Sequence, residues 1–320
     1  MNPVLEKLEK IGIVPVIAIS DVEKAVPLAK ALLAGGIPCA EVTFRTAEGE
    51  QAIARIAREV PDILVGAGTV LTTEQVDRAI AAGAQFVVSP GFNPTVVDYC
   101  IQKGMPITPG CATPSEMEMA MERGLEVVKF FPAEQAGGLA YLKAVAGPYP
   151  RLRFMPTGGV NAENLNEYLA FEKVIACGGS WMVKKELIEA GCFEEISALC
   201  RGAVQRMLGL ELAHLGINMA SAPQAAQTAK CFEDLFGFAA REGNSSWFAG
   251  RGIEVMKTPY LGEKGHIAIG TSSVLRAQYH LERSGVAFDE STAKTNAAGR
   301  KTAIYLRNEV AGFALHLVQK

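Results

Sequence analysis

Lys129 is the residue whose surroundings least suit its type. It lies in the run Val127-Val128-Lys129-Phe130-Phe131, an apolar stretch that reads as a buried strand. Burial disfavours an ammonium relative to the neutral amine, and the neutral amine is the form that attacks a ketone to give a Schiff base. The competing reading is a buried lysine paired with a carboxylate such as Glu41. The two readings coexist, because an acid–base carboxylate must lie close to the amine it serves. All four histidines (His214, His266, His280 and His316) fall in the last third of the chain. Acid–base chemistry before them therefore relies on a carboxylate, Lys, Tyr or Cys, and no His-ligated metal site is available there. Two glycine pairs, Gly158-Gly159 and Gly178-Gly179, precede amphipathic segments. Glycine lets a ligand approach backbone N–H groups, which bind phosphate at such loops. Ordinary turns are the alternative for either pair taken singly.

The elements that must position these residues are eight short apolar runs, at 11–19, 39–44, 63–69, 85–90, 105–110, 127–132, 153–159 and 174–181. Each is rich in Val, Ile or Phe and reads as a strand buried on both faces. The segments between them read as helices. Capping pairs open several (Ser20 with Glu23, Thr72 with Gln75, Thr113 with Glu116), and Gly35, Gly83, Gly104 and Gly124 close others. This alternation predicts an α/β chain with a (β/α)8 TIM barrel. An open doubly wound sheet is the alternative, but no glycine fingerprint follows the first strand. Catalytic groups in a barrel project from the C-terminal strand ends. There stand Glu41 to Arg45, Gly66 to Thr69, Lys129, Thr157 to Gly159, and Gly179-Ser180.

After Glu211 the texture changes to a weak repeat. AHLGIN (213–218) resembles GHIAIG (265–270), and RGIEVMK (251–257) resembles GFALHLVQK (312–320). The repeat predicts a smaller α+β domain of paired βαβββ units, giving domains at 1–210 and 211–320. Hydrophobic residues make up 49% of the 320 and charged residues 20%, with net charge −3 and pI about 5.9. This excludes a disordered chain and offers no basic excess for nucleic acid. No apolar run approaches the roughly 20 residues of a membrane span, and residues 1–10 lack the apolar core of a signal peptide. A cytoplasmic protein without nucleic-acid or membrane partners is expected. The seven cysteines form no CxxC pair and read mostly as small core residues.

The segments EVTFRT (41–46), GAGTV (66–70), VSPGF (88–92), KFFPAE (129–134), AGPYP (146–150), PTGGV (156–160) and GGSW (178–181) together resemble the aldolases acting on 2-keto-3-deoxy-6-phosphogluconate (KDPG), the KDPG/KHG aldolase family. The likeness runs in one order from about residue 5 to 208. It implies a class I aldolase, a homotrimer of barrels in sugar-acid catabolism, acting on a small keto acid without metal or organic cofactor. By position it implies Lys129 as the Schiff-base lysine and Glu41 as the general acid–base. It places Arg45 and Thr69 on the substrate carboxylate, and Thr157, Gly158, Gly159, Gly179 and Ser180 on the far end of the substrate and its phosphate. Some relatives carry an arginine where this chain has Ala18; Arg45 supplies a guanidinium elsewhere. The resemblance leaves KDPG, 4-hydroxy-2-oxoglutarate and the galactonate analogue open as substrates.

The last third resembles the vicinal oxygen chelate superfamily of glyoxalase-like domains. That likeness implies metal ligands on the first and last strands of each unit: His214, Glu254, His266 and His316, suited to a divalent zinc, nickel, iron or manganese ion. A metal-free ligand-binding or packing role is the alternative. His280, on the intervening helix, reads as a surface residue. Two further functional readings stay open: a keto-acid sensor, and a bifunctional protein whose second domain has its own metal-dependent activity.

Overall fold

The computed structural model describes residues 2–320. The chain divides into two compact units, the first ending at Met207 and the second spanning Leu208–Lys320.

The first unit alternates strands and helices throughout. Its strands are β1 (Ile13–Ile17), β2 (Cys39–Thr43), β3 (Leu64–Gly68), β4 (Val87–Val88), β5 (Ile107–Thr108), β6 (Val127–Phe130), β7 (Arg153–Pro156) and β8 (Cys177–Gly179). All pair in parallel. They form a six-stranded sheet in the order β5-β4-β3-β2-β1-β8 and a two-stranded sheet of β6 and β7. The expected continuous barrel ladder is thus interrupted in two places. Isolated bridges cross the gaps, Gly110 to Lys129 on one side, and Phe154 to Val174 and Thr157 to Gly178 on the other. One interruption has a local cause: β5 lies between Pro106 and Pro109, and proline has no N–H to extend a ladder. Apolar strand residues such as Ile13, Val14, Val128 and Phe154 are fully buried, as are Leu28, Leu32, Ile53 and Leu142 on the covering helices. Each contributes about 1.5–3 kcal/mol of burial.

Local signals hold with two corrections. Thr113 and Glu116 form a complete capping box, and Thr72 caps its helix through Gln75 N–H. Ser20 does not cap; Asp21, one residue later, accepts from Glu23 N–H and starts a short 3-10 turn. Gly35 is right-handed, and the left-handed residue that ends that helix region is Gly36. Five of the seven cysteines (39, 100, 111, 177 and 200) are buried and all are free; burial pushes the Cys100, Cys111 and Cys200 thiols up to about 12.

The second unit carries β9 (Glu211–Asn218), a helix (Ala222–Phe236), β10 (Ala240–Glu242), β11 (Ser246–Ala249) and β12 (Ile253–Met256). It continues with β13 (Gly265–Thr271), a helix (Val274–Arg283), β14 (Phe288–Thr295), β15 (Lys301–Leu306) and β16 (Phe313–Gln319). One eight-stranded sheet runs β10-β11-β12-β9-β13-β16-β15-β14. In each half the last strand lies parallel to the first, and the two first strands meet antiparallel at the centre. That arrangement relates the halves by a pseudo-twofold. His280 is buried rather than on the surface, edge-on to Tyr279; the helix that bears it buries Arg276 and Gln278 as well, so its polar residues do not mark an exposed face. Among the described residues no helix is long and apolar enough to cross a membrane.

Candidate functional site

β2 and β6 bring two charged side chains together inside the first unit. Glu41 is 0% exposed and Lys129 5% exposed, and Lys129 Nζ stands 3.7 Å from Glu41 Oε1. Neither Glu41 oxygen accepts a hydrogen bond from the protein. A buried carboxylate ordinarily has such partners, because losing hydration without replacing it is costly. Lys129 Nζ also faces the ring of Phe131, 4.9 Å from its centroid. A lysine and a carboxylate in contact and withdrawn from water are suited to condensing with a carbonyl and moving a proton beside it.

The remaining residues of interest stand just past their strands. Arg45 follows β2 and is exposed, and its Nε donates to Thr43 Oγ1 at 3.1 Å. Thr43 is buried and donates in turn to the Ile17 carbonyl at 2.9 Å. Thr69 follows β3 with φ 57°, a left-handed conformation uncommon for a non-glycine residue. Thr157 is buried after β7, and the following Gly158 and Gly159 have φ of 96° and 82°, a run that requires glycine. This loop is built from several directions. Ala133 N–H donates to the Thr157 carbonyl at 2.8 Å and Glu134 N–H to the Gly158 carbonyl at 3.1 Å. The side-chain amides of Asn161 and Asn164 both donate to the Gly159 carbonyl. Ser180 is exposed after β8, whereas Gly179 is buried, and a Cβ there would lie 2.0 Å from the Trp181 ring. Among the predicted site residues of this unit, the structure brings Lys129 and Glu41 into contact; Arg45, Thr69 and Ser180 stand at separate strand ends.

The KDPG and KHG aldolase family model matches residues 4–199. A 2-dehydro-3-deoxy-phosphogluconate aldolase of Treponema pallidum is 55% identical over 205 residues, which cover 64% of this chain and 98% of that protein. The chain belongs to the KDPG and KHG aldolase family. An Escherichia coli K12 KHG/KDPG aldolase is 46% identical over 193 residues, covering 60% of this chain and 91% of its own. The solved structure of a KDPG aldolase from Legionella pneumophila, described with pyruvate captured as a covalent carbinolamine intermediate, superposes with a TM-score of 0.61 at 40% identity. It covers 62% of this chain and 97% of that one. None of these three aldolases spans the whole chain.

The contacts of two residues of the aldolase unit escaped the sequence reading. Thr43 anchors Arg45, and Phe131 faces Lys129. The available signal for Thr43 was alternation, since residues i and i+2 of a strand share a face and Glu41 stands two positions earlier.

The second unit of this aldolase holds a separate cluster. His214 Nε2 and His266 Nε2 are 3.2 Å apart, and Glu254 Oε2 lies 3.1 Å from the first and 3.2 Å from the second. The His316 ring is 5.5 Å from that of His214 and 5.2 Å from that of His266. One ligand atom from each of the three histidines lies within 4.8 Å of the others. All four residues singled out from the repeat are therefore brought together. Register is the cause. Glu254, Gly216 and His266 form one row across the sheet, and His214, Ala268 and His316 form another. Cross-strand partners point to the same face. The small residue in each row leaves room: a Cβ on Gly216 would lie 2.0 Å from His266 Cε1.

Burial pushes the Glu254 carboxyl up, but hydrogen bonds from His214, His266 and Ser246 outweigh it and hold the group well below the usual carboxylate range. Burial, with His266 and His214 adding to it, holds His316 down at about 4, so it is a neutral imidazole at pH 7. Both of its ring nitrogens and Nδ1 of His266 are buried without hydrogen-bond partners. Tyr305 stacks on His316 at 4.5 Å. With Leu261, Arg307 and Ala314 it lines a cavity of about 450 Å³.

Proposed function

We propose that this protein is a class I aldolase that cleaves KDPG to pyruvate and glyceraldehyde 3-phosphate, and 4-hydroxy-2-oxoglutarate to pyruvate and glyoxylate. The observation that carries the reading is the buried Lys129–Glu41 pair inside the unit that matches the family. Isolated bridges at both gaps between the sheets support a complete (β/α)8 barrel over 1–210, closed with sparse hydrogen bonding. The family resemblance further supports reading it as a cytoplasmic homotrimer.

The steps follow from the residues. Arg45, held by Thr43, pairs with the substrate carboxylate, beside Thr69. Lys129 Nζ attacks the C2 ketone, and loss of water leaves an iminium ion. Glu41, directly or through a water, takes the proton of the C4 hydroxyl. The C3–C4 bond breaks, its electron pair flows into the iminium, and the aldehyde leaves. Glu41 returns the proton to C3 of the enamine, and hydrolysis frees pyruvate and Lys129. The loop Thr157-Gly158-Gly159 and the segment Gly179-Ser180 hold the phosphate through backbone N–H groups and the serine hydroxyl. With Gly179 lying beneath Trp181, Ser180 is the more open contact on that side. Ser180→Asp is expected to abolish the preference for phosphorylated over non-phosphorylated substrate through like-charge repulsion, with turnover of 4-hydroxy-2-oxoglutarate largely retained. An unchanged preference in comparative kcat/KM measurements refutes this placement. The broader test is an aldol-cleavage assay across KDPG, 4-hydroxy-2-oxoglutarate and the galactonate analogue; no turnover of any of them refutes the reading.

A second reading concerns residues 211–320, as a glyoxalase-like vicinal oxygen chelate domain that holds one divalent metal on His214, Glu254, His266 and His316. The unpartnered buried nitrogens of His316 and the unpartnered Nδ1 of His266 favour it, since a buried ring nitrogen without a hydrogen-bond partner otherwise loses hydration for nothing. Three imidazoles and one carboxylate suit zinc, nickel, iron or manganese better than magnesium or calcium. Such an ion supplies Lewis-acid polarisation of a bound oxygen. Elemental analysis of tag-free protein, prepared without chelator, is expected to find close to one equivalent of a transition metal per chain, lost in His266→Ala. Less than about a tenth of an equivalent after reconstitution overturns the site.

A further inference from the structure

Glu41 is placed by a side chain that is missing. Its carboxylate makes no hydrogen bond to the protein, so no donor within the protein fixes its orientation. What surrounds it is Lys129 on one side and Gly68 on the neighbouring strand. In the β2–β3 register Glu41 pairs with Gly66 and Thr43 with Gly68, which puts Gly68 diagonally across from Glu41 on the same face. A Cβ on Gly68 would lie 2.4 Å from Glu41 Oε1, 2.8 Å from its Cγ and 3.0 Å from its Cδ. Three atoms of one buried side chain would have to give way together. The backbone does not require glycine here: Gly68 ends a regular parallel strand and is not among the glycines with positive φ. Gly66, two residues earlier, is filled by the ring of Phe86 instead.

We propose that Gly68 is a positioning residue for the aldol step, its absent side chain being the space in which the Glu41 carboxylate is held against Lys129. The proposal rests on the acid–base role given to Glu41 above. A methyl group at this position rotates the carboxylate out of reach of the substrate hydroxyl and leaves the amine in place. Gly68→Ala is therefore expected to lower kcat for aldol cleavage by about 10²-fold, with KM changed little. Borohydride trapping of pyruvate on Lys129 stays within about threefold of the unmodified protein, because imine formation is separated from the C–C step. The same substitution in a Glu41→Ala background fills vacated space and is expected to cause no further loss of residual turnover or of thermal stability.

Cleavage by Gly68→Ala within about threefold of the unmodified protein overturns the proposal. So does an equal loss in both backgrounds, which marks general damage to the strand. If Gly68→Ala alone fails to fold, a folded Glu41→Ala/Gly68→Ala protein supports the steric account, and an unfolded one overturns it. Wild-type turnover in Glu41→Ala removes the acid–base assignment itself, and the positioning role falls with it.

Discussion

Lys129→Met abolishes the covalent capture of pyruvate by borohydride, and aldol cleavage falls on the order of 10⁴-fold or more, the scale of losing a covalent nucleophile. The expectation rests on an amine that is 5% exposed and 3.7 Å from Glu41. No other lysine lies in contact with this carboxylate among the described ion pairs. The substitution has a structural side effect that must be separated from the catalytic one. Removing one partner of a buried ion pair leaves the other uncompensated, at a cost of about 3–5 kcal/mol. A lowered Tm is therefore expected for Lys129→Met, and Lys129→Met/Glu41→Gln is expected to recover most of it while remaining inactive. Intact-mass measurement after borohydride treatment reads the adduct. A Lys129→Met protein trapped at unchanged stoichiometry refutes the assignment.

Glu41→Gln is the second large effect. The amide is close in size to the carboxylate, so packing against Gly68 is conserved, but it neither takes nor returns a proton. Turnover is expected to fall by about 10²–10⁴-fold, the usual scale for general acid–base catalysis. The imine still forms, so trapping of pyruvate persists while exchange of its methyl protons with solvent is lost together with cleavage. No histidine occurs in the first unit to take over the role. Near-normal turnover in this variant moves the proton transfer to another group, and normal proton exchange with slow cleavage confines Glu41 to the hydroxyl step.

Much of the first unit was legible because its signals are local. Eight apolar runs became eight strands, since a strand buried on both faces must be apolar at nearly every position, and that pattern needs no knowledge of neighbours. Lys129 stood out for the same reason, as the one lysine within such a run, with two apolar residues on either side. The exceptions arose where competing local groups were equally placed, as with Asp21 taking the cap read for Ser20. His280 shows a different limit. Its polar type suggested solvent, but burial depends on what packs over the helix, which residue type does not report.

Composition, periodicity and spacing by themselves determined the strand–helix alternation, the paired units of the last third, and which residue types were able to carry chemistry. Tertiary structure decided distances and clearances. It put Glu41 and Lys129, far apart in sequence, within 3.7 Å, and it aligned the rows Glu254-Gly216-His266 and His214-Ala268-His316 so that four polar side chains face one another. It also gave meaning to Gly68 and Gly216, which in the sequence are two glycines among 32. The physical reason is that a periodic pattern records which face of an element is apolar, a property of each element alone. The space beside a side chain belongs to the register between elements, and a shift of one residue turns every side chain of a strand to the opposite face.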